Sequence, residues 1–330
     1  MEEAQQPQEQ LQPEVLIFRE PPFFTIIGEK AFTSTKFRFL KAYDSPIPLH
    51  QFLSTRAHSV RAILSTAAAP VTADLLQLLP SVRFIVTTSA GLNQIDIPEC
   101  RRRGIAVANT GNVYSADVAD LAVGLLIDVW RSVSASNRYV RRGLWLTEGD
   151  YPHGVKLRGK RVGIVGLGNI GHEVAKRLEA FGCCISYTSR KTKPHVSNPF
   201  YQNVTELAAN CDALIICCGL TDKTRHMINK EVLSALGKKG VVVNIGRGEI
   251  IDEKELVKCL VSGEIAGAGL DVFENEPNVP HELLKLDNVV LSPHCAVFTP
   301  ESLKDVSELI VGNLEAFFEG SALLSEYLDD

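Results

Sequence analysis

Three residues in the C-terminal half carry the side chains that reduction of a carbonyl requires. NIGRGEIID presents Arg247 between two glycines, GLDVFENEP presents Glu276 before Pro277, and VVLSPHCAV presents His294. They stand 29 and 18 residues apart, each just past an apolar run of strand type. An arginine fork grips a carboxylate and polarises the neighbouring carbonyl. An imidazole can give its proton to that carbonyl oxygen as hydride arrives at carbon. A glutamate beside the imidazole favours its charged form. A lone histidine is usually structural, but the three together at successive strand ends lie where open α/β sheets bind ligands. Arg247, Glu276 and His294 are the catalytic candidates.

A phosphate site precedes them. RVGIVGLGNIG sets Gly166, Gly168 and Gly171 in GxGxxG spacing, after an apolar strand and at the start of the helix NIGHEVAKRLEAFG. The first glycine permits the tight turn, the second lets backbone approach a pyrophosphate, and the third lets helix and strand pack closely. Asn169 and Ile170 lie between the last two, where the helix N-terminus faces an anion. The spacing alone is weak; the strand–turn–helix context makes it a dinucleotide-binding signature.

The second strand of such a unit commonly ends in an acid that binds the adenosine ribose. Here it reads YTSRKTKP, with Thr188 at the acid position, followed by Ser189, Arg190 and Lys191. A carboxylate would repel a 2′-phosphate, whereas hydroxyls and bases can bind one. The expectation is NADPH in preference, with NADH still possible. The competing reading is an ordinary basic loop facing solvent.

The elements that must position these residues are legible as alternation. EVLIF, FRFL, RAILST, RFIVTTSAG and IAVANT punctuate the first third, separated by helical pieces such as VTADLLQLLP, with Thr72 as a cap and Pro80 after the end. From Lys160 the strands KRVGIVG, CISYTS, ALIICC, GVVVNIG, GAGLDVF and NVVLSP follow. Strands alternating with helices imply an α/β protein with parallel sheets, covered on both faces. Between the two series one long helix is expected over 116–142, ending at Gly143 and suited to bridging domains or subunits. A last helix starts with Thr299 as cap and Pro300 at its first position.

Composition narrows the class. The 330 residues are enough for two domains, and 45% hydrophobic content with a net charge of −5 gives no electrostatic footprint for nucleic acid or membrane. Arg101, Arg102 and Arg103 read as a solvated helix end before Gly104. No run reaches membrane-span length. The start, MEEAQQPQEQLQPE, lacks the character of a secretory signal and reads as a disordered tail over 1–13. EYLDD at the end carries no peroxisomal or retention tripeptide, so the expected compartment is the cytosol. Eight cysteines stand in no zinc spacing, several inside apolar runs, and read as structural thiols, with no metal expected.

These residues together resemble the D-isomer-specific 2-hydroxyacid dehydrogenases. The resemblance is strongest over Lys160–His294 and extends upstream through TTSAGLNQIDIPECRRRGIAVANTGN and DVADLAVGLL. It leans toward the plant cytosolic glyoxylate/hydroxypyruvate and hydroxyphenylpyruvate reductases. It implies two doubly wound parallel-sheet domains: a Rossmann NAD(P) domain, 113–295, inserted into a flavodoxin-like substrate domain, 1–112 plus 296–330. It implies that Arg247 and the backbone amides of Ala90 and Gly91 hold the substrate, that Glu276 partners His294, and that His294 is the acid/base. It places Asp271 near the nicotinamide carboxamide, and Cys218, Thr221, Ile245, Gly246, Arg247, His294 and Ala296 along the cofactor.

Two departures bear on substrate. The run after the histidine is Cys295-Ala296-Val297-Phe298, where many members have glycine at the Ala296 position; alanine restricts backbone there and the next two residues add bulk. Ala90 and Asn93 stand where related loops often have valine and aspartate. The leading expectation is reduction of a small 2-oxo acid, glyoxylate or hydroxypyruvate, by a homodimer joined through the 116–142 region. The reading from another class is a cofactor-sensing scaffold without turnover, for which the intact trio would have no use.

Overall fold

The computed structural model of the protein describes residues 12–66 and 69–328, so most of the expected N-terminal tail, residues 1–11, lies outside the described residues. The chain gathers into two compact units. One runs to Val113 and resumes at Thr299; the other is Tyr114–Phe298.

The first unit alternates strand and helix: β1 (Glu14–Ile17), α1 (Pro22–Ile27), β2 (Arg38–Lys41), α2 (Leu49–Arg56), β3 (Ala62–Ser65), α3 (Ala73–Gln77), β4 (Phe84–Thr87), α4 (Ile97–Arg102) and β5 (Ala106–Ala108). The strands lie in the order β2-β1-β3-β4-β5, all pairs parallel. Leu16, Ile63, Ile85 and Val107 stand in register on four neighbouring strands and share one core with Leu76 and Leu79. The Thr72 hydroxyl caps α3 by accepting the Leu75 amide. The arginine triplet closes α4: Arg102 forks onto Glu99 with both bonds at 2.7 Å, and Arg103 donates to the Leu79 carbonyl, also at 2.7 Å.

The second unit opens with α5 (Ser115–Arg131), α6 (Val133–Arg141) and α7 (Leu144–Glu148). The single helix expected over 116–142 is therefore two. Ser132 takes left-handed backbone, φ 53°, and the Asp128 carboxylate of the first helix accepts the Ser134 amide and hydroxyl, so the second helix starts on a cap that the first supplies. An aspartate that bonds a nearby backbone amide competes with the helix ladder, and here Asp128 does so. Gly143, φ 74°, ends α6 in the left-handed turn expected of it. The apolar stripe of α5 is used inside its own unit. It presses on the sheet at Gly267 and Gly269, where added Cβ atoms would lie 2.8 Å from Val129 Cγ1 and 2.9 Å from Leu125 Cβ.

Next come β6 (Arg161–Val165), α8 (Asn169–Ala180), β7 (Cys184–Thr188), α9 (Val204–Ala209), β8 (Ala213–Ile216), α10 (Lys230–Leu236), β9 (Val241–Asn244), α11 (Glu253–Val261), β10 (Gly267–Leu270) and β11 (Val289–Leu291). The order is β11-β10-β9-β8-β6-β7, all parallel, so β6 and β8 flank the switch point. One rung crosses all six strands at their carboxyl ends: Thr188, Val165, Ile216, Asn244, Leu270 and Leu291. That level edge is where every site candidate of this unit leaves the sheet.

The last helix, α12 (Pro300–Glu319), belongs to the first unit. Thr299 caps it by accepting the Ser302 amide, and Phe317 stacks on Phe84 with ring centres 4.9 Å apart. No helix of the described residues is long and apolar enough to cross a membrane.

Candidate active site

The turn after β9 is folded by the side chain of Asn244, which is buried. Its amide donates to the Arg247 carbonyl at 2.9 Å and its oxygen accepts the Gly246 amide at 3.0 Å, so Ile245 and Gly246 are held and Arg247 emerges at a set angle. Asn244 was not among the residues expected at the site, although an asparagine at a strand end can bond its own backbone two residues on, as it does here to Gly246. Arg247 is half-buried and donates to the Gly246 carbonyl at 2.7 Å. Burial weighs against its charge and the carboxylates of Glu276 and Glu249 oppose that effect. A guanidinium keeps its proton under such a load.

His294 and Glu276 meet as expected. His294 Nδ1 lies 2.7 Å from Glu276 Oε2, and the other carboxylate oxygen accepts the Phe273 amide at 3.0 Å. Burial works against the Glu276 charge but is outweighed by the bonds from His294 and the Phe273 amide and by the charges of His294 and Arg247. Its carboxyl is held below the usual range. A proton on Nδ1 directed at Glu276 leaves Nε2 for a reacting group.

Asp271 has a role beyond the one the resemblance implied. It is buried, and its Oδ1 accepts the Ser292 hydroxyl at 2.7 Å and the Cys295 amide at 3.0 Å, while Oδ2 accepts the Ala296 amide at 3.2 Å. Its carbonyl accepts the His294 amide at 2.7 Å. Four donors of the loop carrying the imidazole thus converge on this one residue. Nothing in the residue pattern marks Ser292, since only the fold aims it. The left-handed position of the loop is His294 itself, φ 50°, and Ala296 has no positive φ, so the alanine is not strained. Val297 is half-buried and Phe298 is exposed.

At the switch point Gly166 has φ 97°, and a Cβ there would lie 2.7 Å from Cys218 Cα. A Cβ on Gly171 would lie 2.4 Å from the Gly166 carbonyl oxygen, whereas one on Gly168 would meet nothing within 4 Å. The helix N-terminus at Asn169 and Ile170 has no side-chain cap. Open space before uncapped amides is what a pyrophosphate fits. Beside it, burial pushes the Cys218 thiol up to about 11, leaving it unreactive. The Thr221 amide donates to the Thr224 hydroxyl at 2.7 Å, which fixes the loop after β8.

Thr188 ends β7 and is buried. The Ser189 hydroxyl donates to the Lys191 carbonyl at 2.5 Å, so its proton shapes the turn, while Arg190 and Lys191 are exposed. The segment returns to pair with Tyr187, whose hydroxyl accepts the Lys193 amide at 2.9 Å. Ala90 and Gly91 follow β4 in the first unit; the Ala90 carbonyl accepts the Asn109 amide group at 2.9 Å. Among the described residues no three His, Cys, Asp or Glu side chains gather as for a metal, and all eight cysteines are free.

Comparison with known proteins agrees with this geometry. Residues 123–296 match the family described as D-isomer specific 2-hydroxyacid dehydrogenase, NAD binding domain. A glyoxylate/hydroxypyruvate reductase of Arabidopsis thaliana is 52% identical, covering 96% of this chain and 98% of its own. A hydroxyphenylpyruvate reductase of Plectranthus scutellarioides is 47% identical, over 88% and 92%. Among solved structures, an NADPH-dependent glyoxylate/hydroxypyruvate reductase of Sinorhizobium meliloti, in complex with NADP and malonate, superposes with TM-score 0.85 at 35% identity, over 96% and 97%.

Proposed function

This chain belongs to the D-isomer specific 2-hydroxyacid dehydrogenases, and from that premise we propose that it is an NADPH-preferring reductase of small 2-oxo acids. Glyoxylate and hydroxypyruvate lead, giving glycolate and D-glycerate. The observation that carries the reading is the 2.7 Å pair of His294 and Glu276 on the same sheet edge as Arg247. Bound NADPH supplies the hydride. Arg247 holds the substrate carboxylate and draws electron density from the adjacent carbonyl. His294 Nε2 gives its proton to the carbonyl oxygen as C2 is reduced, and Glu276 keeps the ring oriented and its cation stabilised beforehand. Gly166–Gly171 and the N-terminus of α8 would hold the pyrophosphate, and Arg190 with Lys191 the 2′-phosphate. Asp271 Oδ2, which accepts the Ala296 amide, would also take the carboxamide.

In this reading the unit with Ala90 and Gly91 binds substrate and the unit 114–298 binds nucleotide. A second copy would cover Val133, Val140, Trp145 and Leu146, which are 52%, 54%, 60% and 94% exposed on α6 and α7. Eight free thiols suit a reducing cytosol. The similarity to the hydroxyphenylpyruvate reductase favours a second reading, in which the larger aromatic oxo acid is preferred. Initial rates with NADPH and NADH against glyoxylate, hydroxypyruvate and 4-hydroxyphenylpyruvate decide between them. Nucleotide binding with no turnover on any would leave only the scaffold.

A further inference from the structure

A second histidine–glutamate pair braces the segment that holds the first. Among the described residues three that are not glycine have positive φ: Ser132, His226 and His294, at 53°, 51° and 50°. Such backbone is uncommon outside glycine, and histidine is among the residues that enter it more readily. Both histidines reach a glutamate of the same short segment, His294 to Glu276 at 2.7 Å and His226 Nε2 to Glu274 Oε1 at 2.8 Å.

His226 also has a hold on the other side of the site. Its amide donates at 2.8 Å to the carbonyl of Glu249, two residues beyond Arg247. Between them, Gly248 lies so close to the backbone of Phe273 and Glu274 that a Cβ would fall 1.9 Å from the Phe273 carbonyl carbon. The Glu274 amide in turn donates to Glu253 Oε2 at 3.1 Å, on the first turn of α11. The turn bearing Arg247 and the segment bearing Glu276 thus touch through backbone, and His226 ties one to the other.

We propose that His226 is a positioning residue for the reduction, keeping the carboxylate grip of Arg247 aligned with the proton donor that Glu276 orients. Its side chain is 42% exposed, so it fills no core, and an exposed ion pair contributes little to global stability. Its effect should fall on alignment, to which rates are far more sensitive. The proposal rests on the reading of Arg247, Glu276 and His294 as the reacting site.

The test uses the full chain with glyoxylate and hydroxypyruvate, and compares His226→Ala, His226→Gln, Glu274→Ala and the His226→Ala/Glu274→Ala double variant. His226→Ala is expected to lower kcat about tenfold, with the NADPH KM within about twofold of the parent. His226→Gln, whose amide can present an N–H near the position of Nε2, should recover much of the loss, and the double variant should be no worse than the poorer single one. Parental kcat in His226→Ala overturns the proposal, as do losses that multiply in the double variant. Should His226→Ala fail to accumulate, Glu274→Ala gives the same answer. His294→Ala run alongside separates the two failures: turnover retained there sinks the site reading itself, whereas a neutral His226→Ala beside a dead His294→Ala sinks only the positioning role.

Discussion

Asp271 and His294 are joined at the backbone, the His294 amide donating to the Asp271 carbonyl at 2.7 Å, while the Asp271 carboxylate takes the next two amides of the same loop. Asp271→Ala would leave those two amides and the Ser292 hydroxyl without their acceptor. The buried Ala296 amide so orphaned costs about 1–3 kcal/mol, and the half-buried Cys295 amide and Ser292 hydroxyl add a smaller loss. The expected outcome is a lower melting temperature and a kcat reduced roughly a hundredfold, since the imidazole loses its fixed position. Thermal melts and saturated rates check both. Unchanged kcat with a lowered melting temperature would confine Asp271 to a structural role.

Glu276→Gln keeps the shape of the His294 partner and removes its charge. Reduction should slow by up to about four orders of magnitude, the loss that follows when the orienting carboxylate of a catalytic histidine becomes an amide.

The same residue leaves a mark on stability. The Glu276 carboxyl is held below the ordinary carboxylate range in the folded protein. Its contribution is therefore present above the unfolded value of about 4.3 and is lost as pH falls through the lower folded value. Urea midpoints measured from pH 5 downward should drop more gently in Glu276→Gln than in the parent. Parallel slopes would mean that the carboxylate gains nothing on folding.

Arg190→Ala tests the cofactor preference. A charge-assisted bond to phosphate is worth about 1.5–3 kcal/mol, so the NADPH KM should rise roughly ten- to a hundredfold and the NADH KM hardly at all. Equal changes for both cofactors would return TSRK to an ordinary basic loop.

Gly248→Ala places a methyl group against the backbone of Phe273 and Glu274, 1.9 Å from the nearest atom. Backbone cannot yield as a side-chain end can. The substitution should destabilise by about 2 kcal/mol or more and depress kcat with it, because the Arg247 turn and the Glu276 segment must part. Calorimetry and rates on one preparation check this.

Much of this site could be read from residue types and intervals. GxGxxG after a strand, the Arg247–Glu276–His294 trio and the caps at Thr72 and Thr299 depend on local chemistry that a short stretch carries whole. What could not be read depends on partners far along the chain. The break at Ser132 is an exception: the Asp128 carboxylate takes the Ser134 amide only six residues on, a local contact that the continuous helical spacing of apolar residues hides. The alanine at 296 looked restrictive because the left-handed residue of that loop, His294, is known only once the Asp271 bonds are in place. His226 offered no signal, since its glutamate lies 48 residues away.

The sequence by itself marked which side chains could grip a carboxylate, donate a proton and cradle a pyrophosphate, because those capacities belong to residue types. It also determined the parallel α/β class, because alternation and apolar runs are local. Tertiary structure decided alignment. Only the shared rung from Thr188 to Leu291 brings six strand ends level. Only long-range hydrogen bonds on Asp271 and His226 aim the residues that leave that edge, and register and direction are properties of pairs that no single stretch contains.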